Sequence, residues 1–510
     1  MIFPLFPSLG LLLTKRKVRL SSGRLEDCPV VDREVLISRV HIALKYLLRL
    51  IPSASGTLAP ILAAKFPFSE ETKKVHMSYI NSLMRVIEYA PELKAEIFAL
   101  ITERLVKIDV QMQTDLDDLD DEVAAAIVQA ISLQPDRIEE EEDLDDEDSD
   151  MDSVTSDESL DDEASRIKEV QGNVEKMDAI LDTLFSTYNP YFSDPNSLLA
   201  QSMFDTLLSH FRNIILPTYR SRHTQFLLFH FAQTSEHLVD TFAGECVELA
   251  FKSGRPAVLK QSAAAYLASF VARGARVPPH VVRDVFDYIG TCLDAIRDEN
   301  EQTCRGPDLQ RYGTFYATTQ ALLYIFCFRW RDLLVSSDDD DDVFEDDPAA
   351  LLALEWHAGV KELMWRTIYS RLNPLKICAP PIVEEFARIA SRLRFMQVYT
   401  LLDANKRIRL SQFTLGAGGN GVLRESAFTN GRKLDGEEES WHMLDAYFPF
   451  DPYQLPISRR WIASDYVEWK GIPGEADRDD STNDEDEEDG GVDLEDEDVD
   501  TATDDDGETS

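Results

Sequence analysis

The chain has 510 residues, 44% of them hydrophobic, and a formal net charge of −43. That apolar share is enough for a sizeable core, so a wholly disordered chain is excluded. Three acidic stretches carry the entire charge excess, 138–163 with 16 carboxylates, 338–347 with 8 and 475–510 with 20, and outside them the two signs balance at 50 each. A balanced body lacks the basic excess of a domain that lives on phosphates, so protein partners are expected and direct sequence-specific DNA binding is not.

In chain order, the apolar run MIFPLFPSLGLLL at 1–13 is too short to span a bilayer, and the basic Lys15–Arg16–Lys17 follows it, the reverse of a secretory signal. Residues 1–33 therefore read as an atypical or truncated start, and no membrane partner is expected. From Glu34 onward apolar residues recur every three or four positions, the mark of amphipathic helices, at 35–50, 73–89 and 122–133. Between them Pro91 opens a helix whose stripe is Leu93, Ile97, Leu100, Ile101 and Ile108. This first HEAT-like block runs over 34–137. The acidic run 138–164 has no hydrophobic period and reads as a disordered insertion.

A central HEAT-like block at 165–335 holds predicted helices at 166–187, 197–214, 219–234, 236–252, 257–273, 279–297 and 311–334. A short acidic loop, 336–348, leads to a C-terminal HEAT-like block, 349–415, with helices at 350–371 and 381–403. There follow a Gly-rich polar loop, 416–440, an aromatic capping segment, 441–472, and a disordered acidic tail, 473–510. Helix pairs with short links repeating at roughly 40 residues predict an all-α, HEAT-repeat-like α-solenoid. A solenoid adds core repeat by repeat, whereas a single core does not grow to this length.

Chemistry-bearing motifs are sparse. Gly416, Gly418 and Gly421 spell G-x-G-x-x-G, but no βαβ unit surrounds them, so they read as a flexible loop. His223 and His230 fall seven residues apart on one predicted helix, among Phe226, Phe229 and Phe231, and read as packing or capping residues. The six cysteines form no C-x-x-C pair and read as buried reduced thiols. No catalytic residue, metal or cofactor is expected, and the protein reads as non-enzymatic. Ser149, Thr155, Ser159, Ser336, Ser337, Ser481 and Thr482 each have a carboxylate three residues downstream. They are candidates for acid-directed phosphorylation, or they belong to solvated spacers. Phe448, Phe450, Tyr453, Trp461, Tyr466 and Trp469 make an aromatic cluster that either caps the open core of the last repeat or forms a partner hot spot.

Several strings resemble the RNA polymerase I-specific transcription initiation factor family: VHIALKYLLRLIPSASGTL (40–58), YINSLMRVIEYAPELKAEIFALITERLVKIDV (79–110), RHTQFLLFHFA (222–232) and SAAAYLASFVARGARVPP (262–279). FRWRDLL (328–334), LNPLKICAPPIVEEFARIA (372–390) and FPFDPYQLPISRRWIASDYVEW (448–469) extend the likeness over most of the chain, in the family's order. The resemblance implies a nuclear and nucleolar factor for ribosomal RNA gene transcription. It would bind RNA polymerase I at its stalk and neighbouring subunits, bridge to promoter-bound core factors and form a homodimer when free. Family members carry a further helical stretch before the V-H-x-x-L-K helix. The family's regulatory phosphoserines on a polymerase-facing surface have Ser53 and Ser55 as their nearest candidates here, residues whose other role is turn and capping chemistry. The rival reading with the same fold is a nuclear HEAT-repeat adaptor, a transport or chaperone protein.

Overall fold

The computed structural model describes residues 33–117, 158–218, 221–335, 354–406 and 443–469. Helices α1 (Arg33–Leu50), α2 (Ser55–Ala64), α3 (Lys73–Tyr89) and α4 (Lys94–Asp117) form the first group. They are followed by α5 (Glu158–Tyr188), α6 (Leu198–His210), α7 (Phe226–Ala232), α8 (Glu236–Phe251), α9 (Ala257–Arg273), α10 (Pro279–Asn300) and α11 (Leu309–Arg329). The last group is α12 (Val360–Ile368), α13 (Pro380–Arg392) and a further helical stretch at 399–406, after which comes a one-turn helix, Arg459–Ile462. Among the described residues no strand forms, and extended backbone pairs at two isolated bridges, Gly274 with Tyr466 and Leu334 with Trp356.

Packing follows the solenoid pattern, in which many helices meet the next but one. α1 packs on α3, α2 on α4, α3 on α5, α8 on α10, α9 on α11, α10 on α12 and α11 on α13. Apolar stripes on these helices close into one continuous core, with Phe98, Phe185, Phe204, Phe211, Phe226, Phe229, Phe242 and Phe270 fully buried along it. Close approach is built in at Gly290 of α10, where any Cβ would run into the Leu363 side chain of α12.

Several elements differ from the sequence expectation. α2 is an additional helix: its run of Leu58, Ala59, Ile61 and Leu62 has no polar face to give it a period. α5 begins at Glu158, inside the acidic run 138–164. The helix expected at 219–234 shrinks to Phe226–Ala232, because residues 221–225 wrap a carboxylate from α4 instead. Of the span 350–371, the described residues from 354 onward are helical over Val360–Ile368: Gly359 at φ 89 precedes the helix, and Trp356 lies in extended backbone with its ring stacked on Phe326. The span 381–403 breaks at Arg394, which holds φ 49, and resumes at 399. The expected helix 122–133, the Gly-rich loop with Gly416, Gly418 and Gly421, and the segment 473–510 lie outside the described residues.

Candidate functional site

α1 is amphipathic in a way that leaves one face open. Leu44 and Leu48 turn inward, and His41 Nδ1 shares a 2.9 Å hydrogen bond with Tyr89 Oη of α3. Burial first, and then Arg85, push the His41 imidazole down to about 4, so it sits in the core neutral. On the opposite side Val35, Ile42, Tyr46 and Leu50 recur at helical spacing and stay exposed, Ile42 at 68% and Tyr46 at 63%. Arg39, Lys45 and Arg49 flank this seam, and none of them joins an ion pair among the described residues. Among the described residues this seam has the composition of an interface: apolar centre, charged rim.

The seam runs directly into the candidate serines. Pro52 opens a 3-10 turn, Pro52–Ala54, where its missing N–H costs nothing, and α2 starts at Ser55. Ser53 is exposed beside the exposed Ile51. Ser55 is half-buried, and its Oγ donates to the Pro52 carbonyl at 3.0 Å, the turn chemistry its sequence allowed. Of the acidic-context hydroxyls, Ser159 falls in the first turn of α5, and Ser149, Thr155, Ser336, Ser337, Ser481 and Thr482 lie outside the described residues.

The aromatic C-terminal segment does not sit on the last repeat. It runs back as a strap across the central helices. Leu444 N–H donates to Ile377 O, and the Phe448 ring stacks on Tyr324 of α11 at 3.7 Å. Phe450 is fully buried among Phe229, Phe242, Tyr266 and Phe270 of α7, α8 and α9. Tyr453 packs on Phe226 at 4.7 Å, and Trp461 stacks on Phe185 of α5 while its Nε1 donates to Asp182 at 2.8 Å. The strap then returns: Tyr466 bridges to Gly274, and Trp469, 38% exposed, stands edge-on to Phe328 at 4.8 Å. Because the strap follows the core seam of several successive helices, Phe448, Phe450 and Tyr453 are core residues, with Trp461 and Tyr466 packed against them, rather than the cover of one open end.

Buried carboxylates, absent from the sequence candidates, fix this arrangement. Asp109 of α4 accepts from the N–H groups of Arg222, His223 and Thr224 at 3.1, 2.9 and 3.1 Å and from Ser221 Oγ at 2.7 Å. Burial alone would raise its carboxyl, but His223 Nδ1 at 3.0 Å and these donors hold it below the ordinary carboxylate range. It thereby pins the turn that leads into α7, whose own first N–H groups bond to the carbonyls of His223, Thr224 and Gln225. Asp178 accepts from Ile457 N–H at 2.7 Å and Ser458 N–H at 2.8 Å, and Asp465 pairs with His230 and with Arg276 at 2.6 and 2.7 Å. His223 and His230 thus do not share a helix face, since His223 precedes α7, and each is bound to its own aspartate. One signal was available: Asp109 interrupts the apolar run of VKIDV, where a carboxylate must find donors. Among the described residues Cys246, Cys327 and Cys378 are buried free thiols, and no group of three or more His, Cys, Asp or Glu is placed to hold a metal ion.

The family model described as RNA polymerase I specific transcription initiation factor RRN3 matches residues 11–474. The chain belongs to that family. It is 31% identical over 444 residues to RNA polymerase I-specific transcription initiation factor rrn3 of Schizosaccharomyces pombe, covering 85% of this chain and 67% of the relative. The factor RRN3 of Saccharomyces cerevisiae is 29% identical over 477 residues, covering 86% of this chain and 72% of the relative. RRN3 of Mus musculus is 28% identical over 440 residues, 84% of this chain and 60% of the relative. A solved structure titled crystal structure of RNA polymerase I transcription initiation factor Rrn3 superposes with a TM-score of 0.64 at 23% identity, over 91% of this chain and 77% of that one, and shows the same fold.

Proposed function

We propose that the chain is a non-enzymatic initiation factor that binds RNA polymerase I and bridges it to promoter-bound core factors at ribosomal RNA genes, in the nucleus and nucleolus. Membership of the family supports the class, and the open face of α1 supports a docking role. A seam of Val35, Ile42, Tyr46 and Leu50, rimmed by Arg39, Lys45 and Arg49, ends at Ser53 and Ser55. Three HEAT-like blocks, 34–137, 165–335 and 349–415, would form the scaffold on which that face is displayed. Contact with the polymerase stalk and neighbouring subunits, and self-association of the free protein through the same face, belong to this reading.

Phosphorylation at the end of the seam would add nearly two negative charges and three acceptor oxygens at the rim of an apolar contact, whose burial would then carry a desolvation cost. The test is recovery of endogenous RNA polymerases from nuclear extract on the purified full-length chain, with mass spectrometry identifying what is retained. RNA polymerase I is expected to be recovered selectively. Ser53→Asp and Ile42→Asp are expected to lower its recovery at least fivefold, and Ser53→Ala to leave it unchanged. Retention of basic cargo or a small GTPase in place of a polymerase would support the adaptor reading instead.

A further inference from the structure

The described chain ends at Trp469, whose ring meets Phe328 near the C-terminal end of α11. Two residues earlier on that helix, Phe326 packs against Phe395 at 4.7 Å and stacks on Trp356 at 5.6 Å. Trp469 and Phe395 therefore lie on either side of one helix end, outside the Phe328 and Phe326 rings, and are separated by roughly 20 Å.

Around Phe395 the surface is basic and aromatic. Lys361 Nζ lies 5.9 Å from the Phe395 ring and 6.0 Å from the Trp356 ring. Trp365 and Tyr369 continue the same stripe of α12, with ring centroids 5.7 Å apart, and Tyr369 Oη donates to Gln397 O at 2.5 Å, fastening the stripe to the turn at 394–398. Arg392 and Arg394 are exposed at that turn, and Arg331 is exposed at the helix end itself, 4.4 Å over the Trp330 ring. Trp365 is 59% and Tyr399 45% exposed. Glu355 and Glu362 are exposed nearby in sequence, yet Arg331, Lys361, Arg392 and Arg394 make no ion pair among the described residues. Cations and large aromatics set together on a charge-balanced body call for an anionic, partly apolar occupant.

We propose that this surface is the docking site for the chain's own acidic tail, residues 475–510. The tail supplies 20 carboxylates against the single Arg478, and Val492, Leu494 and Val499 are interleaved with its carboxylates, apolar side chains that fit against Trp365 and Tyr399. It departs from the other side of the same helix end, and the 15 residues from Trp469 to Asp484 extend to about 50 Å, more than twice the distance to be bridged. A tether of that length gives an effective concentration on the order of millimolar, so individually weak pairs suffice to keep the tail engaged at low salt. With the tail docked, an anionic partner reaches the same cations only by displacing it, and the tail acts as a built-in competitor. This does not depend on the polymerase reading.

The test is zero-length carbodiimide cross-linking of the full-length chain at micromolar concentration and low salt. Lys361 is the reporter, and an equal mixture of isotopically heavy and light protein is read by peptide mass spectrometry. The expected result is Lys361 joined to carboxylates of 475–510 in peptides of one isotope only. Yield should fall at least fivefold in 0.5 M salt and at least fivefold in Arg392→Glu/Arg394→Glu. Joining of Lys361 to carboxylates of 338–347 or 139–163, mixed-isotope pairs showing a tail from a second copy, absence of tail cross-links, or a yield unmoved by the arginine changes would each overturn the proposal.

Discussion

Asp109 shows how a single carboxylate can hold distant parts of a helical array in register. It is fully buried, and its donors come from residues more than 110 positions later in the chain. Its folded-state pKa is depressed, so its contribution is present above the unfolded carboxylate range and is lost only as pH falls through the lower, folded value. Asp109→Ala leaves three N–H groups and His223 without their acceptor, and is expected to cost about 3–5 kcal/mol, the scale for breaking one side of a buried charged network. Chemical denaturation measures it; a change below about 1 kcal/mol would show that water replaces the carboxylate. Arg329 works in the same manner from the cationic side, donating to Gly274 O and Val277 O at 2.9 and 2.7 Å. It satisfies carbonyls in the chain that follows α9.

At the scale of elements, the strap at 443–469 is part of the core. Phe450 fills a site lined by three helices, so Phe450→Ala is expected to cost about 3–5 kcal/mol through lost burial and the cavity left behind. Trp469→Ala, at the edge of the strap, should cost under about 1 kcal/mol. Equal effects in urea titrations of the two variants would mean that the strap peels away as a unit before the helices unfold. α1 contrasts with the strap: its inner residues are core, its outer seam is not, and substitutions there should change binding while leaving stability within about 0.5 kcal/mol.

For the whole molecule, His41, His76 and His210, on α1, α3 and α6, are each pushed down to about 4, chiefly by burial. A base whose folded pKa is lowered binds its proton more readily when unfolded, so stability is lost as pH falls from the unfolded value near 6.5 toward 4. Unfolding near pH 5 is expected to take up as many as about three protons, measurable by calorimetry in buffers of different ionisation enthalpy; no uptake would mean these imidazoles are solvated. The sequence by itself determined the all-α solenoid, most helix positions, the location of the charge excess and the family resemblance, because apolar periodicity and composition are local properties. Lys73–Tyr89 and Ala257–Arg273 were legible to the residue for that reason. Only the tertiary structure decided what depends on neighbours far along the chain. The stretch 221–225 stays out of α7 because Asp109 claims its N–H groups. Trp356 leaves a helix-like pattern to stack on Phe326, and the aromatic segment runs back over the middle of the array because successive helices leave a continuous apolar seam there. The open face of α1 was hidden in the sequence for the same reason: a stripe of Ile42, Tyr46 and Leu50 reads like core until the packing of α1 on α3 shows which side is covered.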